Sequence, residues 1–86
     1  MLKNKVKETR TDNDISQKLL AEMVGISRQA LHAIENGRAI PSLEVAFKIA
    51  HALEVKIDRL FSWSEDKKRR DEIAGFTLFN HKFDDD

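Results

Sequence analysis

Residues 17–36 read Gln-Lys-Leu-Leu-Ala-Glu-Met-Val-Gly-Ile-Ser-Arg-Gln-Ala-Leu-His-Ala-Ile-Glu-Asn. Two short helices fit this stretch, with Gly25 at the turn between them. Leu20, Ala21 and Val24 fall at helical spacing in the first, Leu31 and Ile34 in the second. Gly25 takes a positive φ without a Cβ clash, so it ends the first helix at little cost. Ser16 and Ser27 stand where N-caps belong. Neither is followed three residues on by Glu or Gln, so neither forms a full capping box. Helices crossing at about 90–120° need a small residue where they approach, and Ala21 supplies it. The pattern is that of a helix-turn-helix unit.

The chemistry of the second helix follows from its faces. With Leu31 and Ile34 turned inward against Leu20, Val24 and Ile26, the opposite side presents Arg28, Gln29, His32 and Asn36. A helix lying in the major groove of DNA needs such a division. Arg28 is suited to a bidentate contact with guanine O6 and N7, and Gln29 to adenine N6 and N7. His32 lies one turn on from Arg28, within reach of a base edge or a phosphate. Gln17 and the Ser16–Gln17 amides are placed to hold a phosphate at the start of their helix. Arg38, just beyond the second helix, suits a backbone contact. Each of these side chains taken alone reads equally well as a solvated surface group; the argument rests on their grouping.

Outward from this unit, Lys3–Thr11 reads as a first helix. Asn13-Asp14 tolerates the left-handed backbone that ends one. Asn36-Gly37 closes the recognition helix. Pro41 disfavours a helical backbone at Ile40, and Ser42 caps a fourth helix to about Leu53 or Glu54. That helix is apolar around most of its circumference, which places it centrally in a core or under another subunit. Ile57–Phe61 forms a short fifth turn. The regular pattern stops near Trp63, so the expected organisation is a domain over 1–63 and a tail over 64–86. The tail contains Lys67-Lys68-Arg69-Arg70, which reads as an arm on DNA phosphates or as a solvated charge run; flanking acids favour the latter. Its Phe76, Leu78, Phe79 and Phe83 would dock on a partner, pack back on the domain, or stay loose.

The chain resembles the Cro/C1-type repressor family, the xenobiotic-response-element class. The matching residues are Ser16-Gln17, Leu20-Ala21, Gly25-Ile26-Ser27-Arg28-Gln29, Leu31, Ile34-Glu35, Gly37 and Pro41-Ser42-Leu43, continued by Ile49-Ala50, Ala52-Leu53 and Leu60-Phe61. They fall in order, without a gap, over about residues 2–63. The resemblance implies an all-α, five-helix, lambda-repressor-like domain acting as a dimer. It places Gln17, Ser27, Arg28, Gln29 and His32 at the usual DNA-contacting positions, and Arg10 and Glu35 in a salt bridge between the first and third helices. Asp14 and Glu54 depart from the pattern, standing where the family often has glycine. Short members sometimes pair the segment equivalent to Leu60-Phe61-Ser62-Trp63 with an N-terminal strand, a part open here to Met1–Lys3.

Composition sets the outer limits. One domain is expected from 86 residues. The chain has no cysteine, which excludes disulfides and thiolate metal sites and is compatible with the cytoplasm. Neither a signal peptide nor a membrane-spanning apolar run is apparent. The formal charge is zero, but residues 1–61 carry a net +2 and residues 62–86 a net −2. A local basic face matters for DNA more than the total. His32, His51 and His81 are too dispersed for a metal site. No nucleophile elbow, phosphate loop or zincin motif is present, so an enzyme and a cofactor are not expected. The leading expectation is a sequence-specific double-stranded DNA-binding repressor. It would be a homodimer on a palindromic operator, with Ile57, Leu60, Phe61 and Trp63 at its interface. The rival is an antitoxin-like interaction module whose tail binds a partner protein.

Overall fold

The structure is a computed structural model that describes residues 1–65. In chain order it runs β1 (Leu2–Asn4), α1 (Val6–Asp12), α2 (Gln17–Val24), α3 (Arg28–Glu35), α4 (Leu43–Ala52), α5 (Ile57–Leu60) and β2 (Phe61–Trp63). The tail motifs Lys67–Arg70 and Phe76–Phe83, and His81, lie outside the described residues.

Serine starts three of the helices. The Ser16, Ser27 and Ser42 hydroxyls accept from the Leu19, Ala30 and Val45 amides, each satisfying an amide that has no partner within its helix. The helix ends are equally local. Asp14, Gly25, Gly37 and Glu54 all have left-handed φ, at 56°, 85°, 75° and 56°. After α1, α3 and α4 the same pair of bonds recurs. The left-handed residue donates three residues back and its successor five: Asp14 to Thr11 and Ile15 to Arg10, Gly37 to Ile34 and Arg38 to Ala33, Glu54 to His51 and Val55 to Ala50. This is the Schellman arrangement. Asp14 and Glu54 thus adopt the glycine geometry despite their side chains, and α4 stops at Ala52 without running on. Ile15 and Val55, the residues that follow, pack against the core, and that packing holds the strained backbone in place.

The core gathers Val6 from α1, Leu20, Ala21 and Val24 from α2, Leu31 from α3, Ile49, Ala50 and Leu53 from α4 with its cap, and Leu60 from α5. Ala21, the small residue of α2, is 3% exposed and belongs to this cluster.

Three expectations change. The first helix begins at Val6 and not at Lys3, because the preceding residues form a strand. β1 pairs antiparallel with β2 in the register Leu2↔Trp63, Lys3↔Ser62, Asn4↔Phe61. The Lys5 amide then donates to the Leu60 carbonyl at 2.8 Å, and the Asn4 side chain accepts from Val6 at the helix start. The expected pairing of the chain's beginning with Trp63 is therefore present, shifted one residue on from Met1–Lys3. Leu60 is not a surface residue: at 1% exposed it belongs to this chain's own core and offers a second copy nothing. Finally, of the two places expected for α4, this chain's own core covers only one side. Ala46, Ile49 and Ala50 are buried, but Leu43 and Phe47, one turn apart on its outer face, are 71% and 53% exposed.

The left-handed residues give a test. Replacing Glu54 by Gly relieves about 1–2 kcal/mol of backbone strain against about 0.5–1 kcal/mol of added unfolded-chain entropy, so Glu54→Gly stabilises slightly. Gly25→Ala destabilises by about 1 kcal/mol with no steric cause, since nothing lies within 4 Å of the added Cβ. Denaturant melts of the two variants in parallel check both signs.

Candidate nucleic-acid interface

The recognition helix α3 is oriented from three directions. Leu31 and Ile34 seat its inner face in the core. The Asn4 amide donates to the Ile34 carbonyl at 3.0 Å, tying β1 to the end of the helix. The third tie is ionic. Arg10 of α1 meets Glu35, the last residue of α3, with Nε 2.8 Å from Oε2 and Nη2 3.2 Å from Oε1. Its remaining Nη1 donates to the Ile15 carbonyl at 2.9 Å. The two side chains are 10% and 2% exposed, so the pair is largely withdrawn from water. Its two-pronged geometry satisfies the guanidinium as burial demands.

The outer face of α3 carries the polar groups. Gln17, Arg28, Gln29, His32, Ala33 and Arg38 line one shallow concavity. Gln17 stands at the first turn of α2, Arg28 and Gln29 at the first turn of α3, and Arg38 just past the Schellman turn that folds the chain back toward Ala33. Five of the seven residues named from sequence are thereby brought together. The other two sit at the caps. Ser27 is exposed, and its hydroxyl caps α3. Asn36 is the C-cap, with its Nδ2 2.9 Å from His32 Nε2. When that amide donates, the imidazole proton resides on Nδ1, which leaves a donor for an outside acceptor.

Two links escape sequence reasoning. Gln17 Nε2 donates to Glu35 Oε1 at 3.0 Å, and Arg28 Nε donates to Gln17 Oε1 at 3.3 Å. The two partners of Gln17 are 18 and 11 residues away, and no local periodicity connects them. The Asn4–Ile34 bond spans 30 residues and has no sequence signal either.

Of the residues read as a dimer interface, Ile57 and Phe61 pack against the core and Leu60 is buried within it. Trp63, at 68% exposed, alone presents a large free surface. Among the described residues, no group of three or more His, Asp or Glu side chains is arranged to hold a metal. No helix of the described residues is long and apolar enough to cross a membrane.

The helix-turn-helix family pattern matches residues 6–60, from the first residue of α1 to the last of α5. The chain belongs to the Cro/C1-type helix-turn-helix family. It is 44% identical over 66 residues to an HTH-type transcriptional regulator of Methanocaldococcus jannaschii, covering 77% of this chain and all of that one. The regulator YgzD of Bacillus subtilis is 46% identical over 66 residues, covering 77% of this chain and 98% of its own. Among solved structures, the restriction-modification controller protein C.AhdI of Aeromonas hydrophila superposes with a TM-score of 0.61 at 31% identity, covering 63% of this chain and 82% of that one. This chain is accordingly a DNA-binding transcriptional regulator of a family that is not enzymatic.

The buried pair makes a quantitative expectation. Arg10→Met leaves the Glu35 carboxylate buried and unpaired and costs about 3–5 kcal/mol, most of the stability of a domain this size. Adding Glu35→Leu to Arg10→Met restores a large part of it. Urea titration of the single and double variants measures the difference.

Proposed function

We propose that this protein is a sequence-specific repressor that binds a palindromic operator as a homodimer, with α3 in the major groove. The observation that carries the reading is the exposed face of α3: Arg28, Gln29 and His32 surround one concavity with Gln17 and Arg38 at its margins. Arg28 and Gln29 carry the hydrogen-bond groups that distinguish guanine and adenine by two bonds each. Gln17 and Arg38 flank them where the phosphate backbones pass, to fix register without reading sequence. Ser27 and Asn36 contribute from the two ends of the helix.

One recognition helix spans only a few base pairs, so specificity calls for two, about 34 Å apart on one face of the duplex. The second copy is proposed to pack against Trp63, with Ile57 and Phe61 at the margin of the contact. In the β1–β2 ladder Trp63 lies opposite Leu2, next to the exposed Met1. An apolar group of this kind at a sheet end is what a symmetric partner would cover. Repression then needs nothing beyond occupancy, because a bound dimer excludes polymerase from an overlapping promoter. The setting of this activity would be the cytoplasm.

Binding of the full chain to a promoter fragment from its own locus, across a salt series, tests the DNA reading. Arg28→Ala and Gln29→Ala are each expected to weaken specific binding by about 1–3 kcal/mol. Both leave weak, salt-sensitive binding to unrelated duplex in place. Equal loss on every duplex would refute base reading by these side chains. For the dimer, sedimentation equilibrium of Trp63→Lys should show a monomer that still melts cooperatively; an unchanged dimer would place the interface elsewhere.

A further inference from the structure

The two unforeseen hydrogen bonds join with the ion pair into one line: Arg10, Glu35, Gln17, Arg28. Its members differ in burial, from an enclosed carboxylate to an exposed guanidinium. We propose that Glu35 is a positioning residue for base recognition, setting the orientation of the Gln17 amide and through it the guanidinium of Arg28. The inference rests on the role given to Arg28 above.

The argument is one of donor and acceptor polarity. Both Glu35 oxygens accept, one from Arg10 Nε and the other from Arg10 Nη2 and from Gln17 Nε2. A primary amide has one donor end and one acceptor end. Because Glu35 accepts, the NH2 of Gln17 must point to it, so the Gln17 carbonyl is turned outward. That carbonyl is where Arg28 Nε is found. Among the described residues Arg28 therefore makes its intramolecular contact through Nε, and its two terminal nitrogens form an open fork. That fork is what guanine O6 and N7 accept. A long side chain on an exposed helix face loses rotamer freedom when it binds; the bond to Gln17 removes part of that freedom beforehand. The ion pair that holds α1 to α3 thus also holds the reading group in its reading position.

Glu35→Gln inverts the polarity. An amide at 35 has a single oxygen for the two sides that need one. With that oxygen toward Arg10, its NH2 faces the NH2 of Gln17. The Gln17 amide then turns over and presents a donor to the Arg28 Nε–H, and the bond is lost. Glu35→Asp keeps the charge opposite Arg10 but withdraws the carboxylate from Gln17 by one methylene, and serves if the amide variant does not fold. Gln17→Leu cuts the same line and leaves the ion pair intact.

The test uses the full chain and the duplex that the wild-type protein selects from a random-core library. Each guanine is replaced in turn by 7-deazaguanine, which lacks the N7 acceptor. The guanine read by Arg28 is the one whose replacement weakens wild type but not Arg28→Ala, by about tenfold. At that guanine the penalty should fall to about twofold in Glu35→Gln, Glu35→Asp and Gln17→Leu. Glu35→Asp added to Gln17→Leu should change it no further, because the line is already cut. A Glu35 that only stabilised the fold would lower affinity for both duplexes alike. A wild-type ratio in the Glu35 variants, beside its loss in Arg28→Ala, therefore overturns the proposal. If Arg28→Ala responds to every 7-deazaguanine as wild type does, the base-reading role of Arg28 fails, and the relay with it.

Discussion

The Arg10–Glu35 pair is the constraint from which the placement of α3 follows. One guanidinium touches the end of the recognition helix through two bonds and the α1–α2 connection through a third. A small core leaves few ways to fix the rotation of a two-turn helix. Leu31 and Ile34 fix which side faces inward, but apolar contacts are non-directional and tolerate sliding. A two-pronged ionic contact at the C-terminal end of α3 does not. Its burial makes breaking it costly, so the helix has one position and not a range of them.

The helix ends show how local chemistry and core packing divide the work. Three serines start helices by accepting an amide proton, and the sequence announces each of them. The stops are less uniform. Glycine at 25 and 37 enters the left-handed region freely, whereas Asp14 and Glu54 reach it at a cost. At those two positions the following residue, Ile15 or Val55, packs against the core and offsets the preference of the residue at the bend. Propensity marks where a helix can end, and burial of the next side chain decides where it does.

That distinction explains what was legible beforehand. The α2–turn–α3 unit and the shared face of Arg28, Gln29 and His32 follow from helical spacing, the caps from serine at each helix start, and the Arg10–Glu35 bridge from the resemblance to the family alone, since its partners lie 25 residues apart on different helices. The β1–α1 boundary is harder to read: the resemblance implies the strand pair, but Leu2 and Asn4 alternate with Lys3 only over three residues, too few for a period-two signal to show that the helix starts at Val6 and not at Lys3. Leu60 was misplaced for a related reason. An apolar residue near the end of a pattern looks available for a partner, and only the fold shows that the fifth helix closes the core from below. The Gln17 bonds were invisible because they join three elements through side-chain termini.

The β1–β2 ladder also sets when this domain comes into being. Among the described residues the first strand pairs with the last, and the Met1 amino group donates to the Ser64 carbonyl. Val6 and Leu60, near opposite ends of the unit, are both fully buried in the same cluster. On a ribosome, which delivers residues in order, α1 through α4 emerge with that cluster still open on one side. The segment carrying Leu60 and β2 must clear the exit tunnel before the core can shut. Until then α3 has its sequence and its cap, but the cluster that receives Leu31 is still open.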